Sequence, residues 1–283
     1  MTSAAIGTLV KEWRTRRSRS QFDLAIDIGV SAKHLSFVET GKSRPSPELV
    51  LAIAQQLDVP LRERNTMLLA AGFAPRFSLT PLEDAAMATI RGSLQRLLDA
   101  HDPYPGVVLD GHWDVMLANT SALRLTAALS DELLRPLNMF RASLHPNGLA
   151  AITTNFDEWA TYLVNQLHRL AMTSADPALV ELEREVTAYP NVHGLLARID
   201  WTDPTPSPSL LVPCELLLGT IELSMFTTLT NFGSPRDVTL DELAIELFYP
   251  TNDATEQALC ALSDNPINGA AVLLPSNVAT HHG

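Results

Sequence analysis

Lysine is nearly missing from this chain: Lys11, Lys33 and Lys42 all lie near the start, and residues 78–283 contain none. A serine–lysine self-cleaving dyad in that long stretch is therefore excluded. Cysteine is as scarce. Cys214 and Cys260 stand too far apart for a CxxC pair, make no disulfide framework and read as small buried apolar residues. No run of about 18 uncharged apolar residues exists to span a bilayer. No signal segment precedes the amphipathic start at Ile6, so the cytoplasm is the expected compartment. His101, His112, His145, His168 and His193 never form HExxH, and no Walker loop, GxGxxG or GxSxG is present. The sequence calls for no catalytic residue, no metal and no cofactor, and an enzyme finds no support in it.

The 283 residues, 46% of them apolar and 19 of them proline, suit one large or two ordinary globular domains. The net charge of -12 hides an asymmetry. Residues 1–77 hold 11 basic residues against 7 acidic, whereas 78–283 hold 9, all arginine, against 25. Both could be plain solvated surfaces, but an imbalance of this size points to a polyanion-binding head on a body that avoids nucleic acid.

Within the head, apolar residues recur at helical spacing through Ile6, Leu9, Val10 and Trp13, then Leu24, Ala25 and Ile28, then Leu35 and Val38. Gly29 permits a tight turn and Ser31 caps the third helix, the pattern of a helix-turn-helix. The third helix stops at Gly41. Pro45 and Pro47 separate it from a fourth carrying Leu49, Ile53 and Leu57, and Pro60-Leu61 opens a fifth that ends near Gly72. With Leu35 and Val38 facing the core, Ala32, Lys33, Ser36 and Phe37 are left free to enter a major groove, with Lys33 the best reader of bases. Phe37 has two readings: contact with a thymine methyl, or cover for the neighbouring helix. Gln21, Ser31, His34, Lys42 and Arg44 surround that face as phosphate donors. Lys11, Arg16, Arg17 and Arg19 read equally as a solvated helix end or as further phosphate contacts.

Gln21, the span from Gly29 to Gly41 and Lys42-Ser43-Arg44-Pro45 resemble the Xre/Cro-type helix-turn-helix family over residues 6–72. The resemblance implies an ion pair between Arg14 and Glu39 across the first and third helices.

In the body, Thr80-Pro81-Leu82-Glu83 predicts a capped helix running to Ala100 with Leu82, Ala86, Ile90, Leu94 and Leu97 on one face. Val107-Val108-Leu109 and Trp113 with Val115-Met116-Leu117 read as two strands around the Asp110-Gly111 turn, followed by a helix at Asn119. Asn155 caps a helix through Phe156, Trp159, Leu163, Leu167 and Leu170. Asp176-Pro177 starts another, and Pro190 closes the helical stretch. Residues 203–213, with Pro204, Pro206, Pro208 and Pro213, read as a loop. Ile221, Leu223 and Met225 alternate as a half-buried strand, and Ala244 to Tyr249 reads as a closing one. The fold class is an all-α five-helix domain followed by an α+β domain: residues 1–77, a connecting helix over 78–105, and 106–283.

Val108-Leu109-Asp110 with Trp113-Asp114-Val115 and Asn119, Asn138 to Arg141, Leu144 to Leu149, Asn155 with Trp159, Asp176-Pro177, and Thr228 with Phe232 to Pro235 and Asp237-Val238-Thr239 resemble the MmyB-like regulators over 100–262. That resemblance implies a PAS-like ligand-binding domain holding a small, largely apolar molecule, fatty-acid-like in some members. Polar residues embedded in apolar runs nominate Arg141 or His145 for the ligand's anionic or polar end. Trp113, Met116, Phe140, Leu223, Met225 and Phe226 are nominated for its body, against plain core packing for each. The expected whole is a homodimeric regulator of double-stranded DNA. The competing reading makes the second domain a ligand-free dimerisation or protein-interaction module.

Overall fold

The computed structural model describes residues 2–127, 129–197 and 210–264, so the prolines of 203–209 lie outside the described residues. The chain divides into two compact units. One is the chain through Pro81 together with Gly233–Asp241; the other is Leu82–Phe232 with the chain from Glu242 onward.

Five helices make the bulk of the first unit: α1 (Thr2–Arg16), α2 (Gln21–Asp27), α3 (Ala32–Glu39), α4 (Pro47–Gln56) and α5 (Leu61–Ala70). Ile6, Val10 and Trp13 on α1, Leu24 on α2, Leu35 and Val38 on α3, and Ile53 on α4 with Leu57 at its end are all buried, as the helical spacing requires, while on α4 Val50 is buried and the expected Leu49 only half-buried. Ser20, Ser31 and Ser46 each cap the next helix, their hydroxyls accepting from the N–H of Asp23, His34 and Leu49. Gly29 and Gly41 take φ of 70° and 71° where α2 and α3 end.

A tight helix crossing rests on Gly7. A Cβ there would lie 2.5 Å from the carbonyl oxygen of Val38 and 2.6 Å from that of Glu39, both backbone atoms that cannot turn aside. Gly7→Ala is therefore expected to cost the head about 3 kcal/mol, the upper range for overpacking, despite alanine's better helix propensity. Urea unfolding reads it, and a gain in stability would show that the crossing has room.

The segment 233–241 completes this unit. Asp237 Oδ2 accepts from the hydroxyls of Ser78 and Thr80, both at 2.7 Å, and from the Thr80 N–H. Asp241 Oδ2 accepts at 2.9 Å from the Leu61 N–H, an orphan donor at the start of α5 that Pro60 has no side chain to cap. The Thr80 hydroxyl, committed to Asp237, starts no helix, in contrast to the sequence reading. Asp84 caps a 3-10 turn at Ala85–Met87, and α6 (Ala88–His101) follows it.

The chain continues with β1 (Gly106–Leu109), β2 (Val115–Ala118), α7 (Thr120–Thr126), α8 (Asp131–Leu134), α9 (Met139–Leu144), α10 (Phe156–Ser174), α11 (Pro177–Thr187), α12 (Pro190–Leu196), β3 (Cys214–Leu218), β4 (Ile221–Asn231), α13 (Val238–Glu242), β5 (Ala244–Pro250) and α14 (Asp253–Ser263). The strands form one antiparallel sheet in the order β2-β1-β5-β4-β3. β5 is central, with Glu246 opposite Val107 on one side and Leu229 on the other. Alternation sends Ala244, Glu246 and Phe248 to one face, where Ala244 and Phe248 join the core with Trp159, Leu163 and Leu167 of α10.

Several local readings change. Trp113 is not in a strand; it sits at φ 68° in the β1–β2 turn, where Asp110 Oδ1 accepts from the N–H groups of His112 and Asp114. Asn155 precedes α10 without capping it, because its side chain bonds Pro213 O and the Glu215 N–H and so pins the start of β3. Pro190 closes nothing; it is the first residue of α12, where its missing N–H is harmless. Cys214 is buried but Cys260 is exposed, away from the Thr255 and Leu259 face of α14. Among the described residues no helix is long and apolar enough to cross a membrane.

Candidate functional site

On the head, α3 turns Lys33 and Phe37 to solvent while Leu35, Val38 and Glu39 are buried. Phe37 is 38% exposed, and the ammonium groups of Lys33 and Lys42 lie 5.6 and 5.8 Å from its ring centroid. The ring gathers two cations on one surface, a role that neither sequence reading of Phe37 contained. Ala32, His34 and Ser36 are half-buried beside it, and Ser31 is exposed with its hydroxyl engaged as the α3 cap.

Two residues nominated for phosphates have partners inside the head. Gln21 donates its amide to Glu39 Oε2 at 2.6 Å. Arg44 donates Nε and Nη2 to Ala71 O at 3.1 and 2.9 Å and lies over Phe73, so it satisfies carbonyls at the end of α5. The Arg14–Glu39 pair is formed as a fork at 2.6 and 3.0 Å, with side-chain exposures of only 14% and 2%. The hydrogen bonds that Arg14 donates to Glu39 raise the Arg14 pKa above its ordinary value, against the opposing effect of burial. At the helix end, Arg17 bonds Leu57 O and Asp58 O, and Arg19 pairs with Asp27.

In the second unit the core face of the sheet encloses a cavity of about 50 Å³. Val107, Met225 and Phe248 line it from the strands, Trp159 and Leu163 from α10, Met139 and Phe140 from α9, and Trp113 from the β1–β2 turn. Trp113 and Phe140 touch, with ring centroids 4.7 Å apart. The Cys214 thiol, also on the wall, is pushed up to about 12 by burial and stays protonated.

Five nominated ligand residues are not on this wall. Arg141 forks onto Glu185 at 2.7–3.1 Å, and the Tyr189 hydroxyl donates to the same carboxylate at 2.8 Å. His145 packs edge-on against Tyr189, and its Nδ1 accepts from the Asn147 N–H. These polar groups satisfy one another at the junction of α9, α11 and α12. Met116 stands at the register shift between β1 and β2, Leu223 is buried in the core opposite the wall residue Leu216, and Phe226 points to the opposite sheet face, stacked on Tyr249.

Sequence reasoning passed over Glu246. It is 7% exposed, lines the cavity, and its Oε2 has no hydrogen-bond partner among the described residues. Burial pushes the carboxyl up to about 7, a hydrogen bond with Thr227 offsetting part of the rise. The signal was present: one acidic residue on the inward register of Ala244-Ile245-Glu246-Leu247-Phe248, an otherwise apolar strand.

A model of the MmyB-like transcription regulator ligand binding domain matches residues 90–262, and a helix-turn-helix model matches residues 10–64. The chain belongs to the MmyB-like transcription regulators. This MmyB-like chain is a DNA-binding regulator with a ligand-sensing α+β domain. No curated protein matches it. It is similar to the solved PAS domain from Bordetella pertussis BvgS, at 17% identity over 62% of this chain and 96% of that one, with a TM-score of 0.27. It is also similar to an RNA-binding Light-Oxygen-Voltage receptor, at 14% identity over 92% of this chain and 64% of that one, with a TM-score of 0.23.

Proposed function

We propose that this chain is a cytoplasmic, homodimeric transcription regulator in which α3 reads a major groove through Lys33 and the cavity on the sheet's core face takes a small, largely apolar ligand. The observation that carries the reading is the exposed surface made by Lys33 and Phe37 on the second helix of a helix-turn-helix and by Lys42 just beyond its end. Ser31, Ala32, His34 and Ser36 complete the contact surface. Gln21 and Arg44 support it mainly by holding Glu39 and the end of α5. Two such heads related by a two-fold axis would engage half-sites ~34 Å apart, which gives the site selection that one small head lacks.

Ligand size supports a switch. A molecule larger than about 50 Å³ enters only if neighbouring side chains move, and the unbranched Met139 and Met225 on the wall are suited to that. Ligand would then favour one arrangement of the sheet, and it shifts the equilibrium only by its differential affinity for the two. The chain runs from β4 through 233–241, held in the DNA-binding unit by Asp237 and Asp241, and back into β5. A change in those strands passes along the chain into 233–241 and from there to α5 through the hydrogen bond that Leu61 N–H donates to Asp241.

Native mass spectrometry of full-length protein purified from cells tests the sensor. A bound small molecule supports it, and a ligand-free dimer that ignores added apolar compounds favours the interaction module instead. For the head, Lys33→Ala is expected to weaken binding to a DNA sequence selected from a random pool by about 1–3 kcal/mol, with little change on unrelated DNA. Wild-type affinity should fall steeply with salt. An equal loss on both DNAs would make Lys33 a phosphate contact, and binding indifferent to salt would remove the interface.

A further inference from the structure

The buried carboxyl on the cavity wall has a use that the sensor reading leaves unassigned. Among the described residues lining the cavity, Glu246 alone carries a formal charge, and the other polar groups are the hydroxyls of Thr126 and Ser143, the Cys214 thiol and the indole N–H groups of Trp113 and Trp159. An acidic side chain at the centre of the sheet, more than nine-tenths buried, with one oxygen partnerless, is costly for folding alone; an apolar residue would pack there without that cost. Among the described residues its hydrogen-bond partner is Thr227 on β4, which also bonds the Tyr162 hydroxyl of α10. Arg141, the cation nominated for a ligand's anionic end, is held outside by Glu185.

From this geometry we infer that Glu246 is the recognition group of the cavity and that it selects an apolar ligand whose polar end donates a hydrogen bond, an alkylamine above all, over one ending in a carboxylate. The inference rests on the ligand-sensing reading and turns it away from the fatty-acid-like anion that the family resemblance implied. The chemistry is direct. A hydroxyl or amine N–H supplies the donor that Glu246 Oε2 lacks, and an ammonium also neutralises a carboxylate that has little solvent to screen it. A ligand carboxylate would bring a second acceptor, and a like charge, against the same oxygen. The remaining wall, Trp113, Phe140, Met225 and Phe248 among it, then covers the alkyl chain.

The test uses the full-length protein and Glu246→Gln at pH 8, with hexylamine, hexan-1-ol and hexanoate as probes and dissociation constants from calorimetry. The wild type should bind hexylamine most tightly, hexan-1-ol next and hexanoate least, the ends of the series differing by about tenfold or more. Glu246→Gln should bring hexylamine and hexanoate to within about threefold of each other while still binding hexan-1-ol, which shows that the variant keeps its cavity. Hexanoate binding as tightly as hexylamine, or the same order persisting in Glu246→Gln, overturns the assignment while leaving the cavity a ligand site. Should none of the three bind, the sensor reading falls and this inference with it.

Discussion

With Glu39 replaced by alanine, the DNA-binding head should lose about 4 kcal/mol of stability, most of what a domain of its size possesses. The Glu39 carboxylate is 2% exposed and receives the Arg14 fork at 2.6 and 3.0 Å as well as the Gln21 amide at 2.6 Å. Its removal leaves a nearly buried guanidinium without a counter-charge. It also unties α1 and the start of α2 from the C-terminal end of α3, so the same variant should lose specific DNA binding without any contact being touched. Hydrogen exchange of the α1–α3 amides in the full-length protein measures this directly. Glu39→Gln, which keeps an acceptor for Arg14 or Gln21, should lose less. A head that stays within about 1 kcal/mol of wild type after Glu39→Ala would mean that the fork adds only what a solvated pair does.

Glu246 gives the second large effect, and it depends on pH. Its carboxyl ordinarily titrates near 4.5 and in the folded protein near 7. Below about pH 4.5 both folded and unfolded chains carry the proton, and the residue contributes no pH dependence. Between 4.5 and 7 the unfolded chain releases it and the folded one does not, so stability falls as pH rises. Above 7 the folded protein bears the full cost of a buried carboxylate, about 3 kcal/mol. Glu246→Gln removes this contribution. Urea unfolding of the two proteins should therefore coincide near pH 4.5 and separate with rising pH, the variant being the more stable at pH 8. The Tyr162 hydroxyl and the Cys214 thiol nearby titrate far above this window, both raised by burial. A difference between the two proteins that is independent of pH would mean that the carboxyl is better solvated than its surroundings imply.

The five helices of the head were legible because each is decided locally. A Ser cap, a 3.6-residue apolar period and a terminal glycine are set within a dozen residues, and the tertiary structure uses them as written. Even the Arg14–Glu39 pair followed from the family pattern. The Gly7 crossing did not: its demand for hydrogen at Cβ comes from carbonyls more than thirty positions away. In the sensor, strands with clean alternation were found, and Asn119 and Asp176 cap the helices expected of them. Asn155 and Thr80 have good cap residues' chemistry, but β3 and Asp237 compete for their side chains across long sequence separations.

Composition and periodicity by themselves determined a basic helical head, an acidic α+β body and the outward face of α3, since all three depend on charge and spacing along the chain. Only the tertiary structure decided which side chains meet in the cavity and that 233–241 belongs with the head. Val107, Trp113, Phe140, Trp159, Met225 and Glu246 come from six separate elements or turns, and pairing strands β1, β5 and β4 is what brings an acidic residue of one to face apolar residues of the rest. Burial depends on neighbours distant in sequence, so the local pattern marks Glu246 as unusual in its strand without telling it from a solvated glutamate.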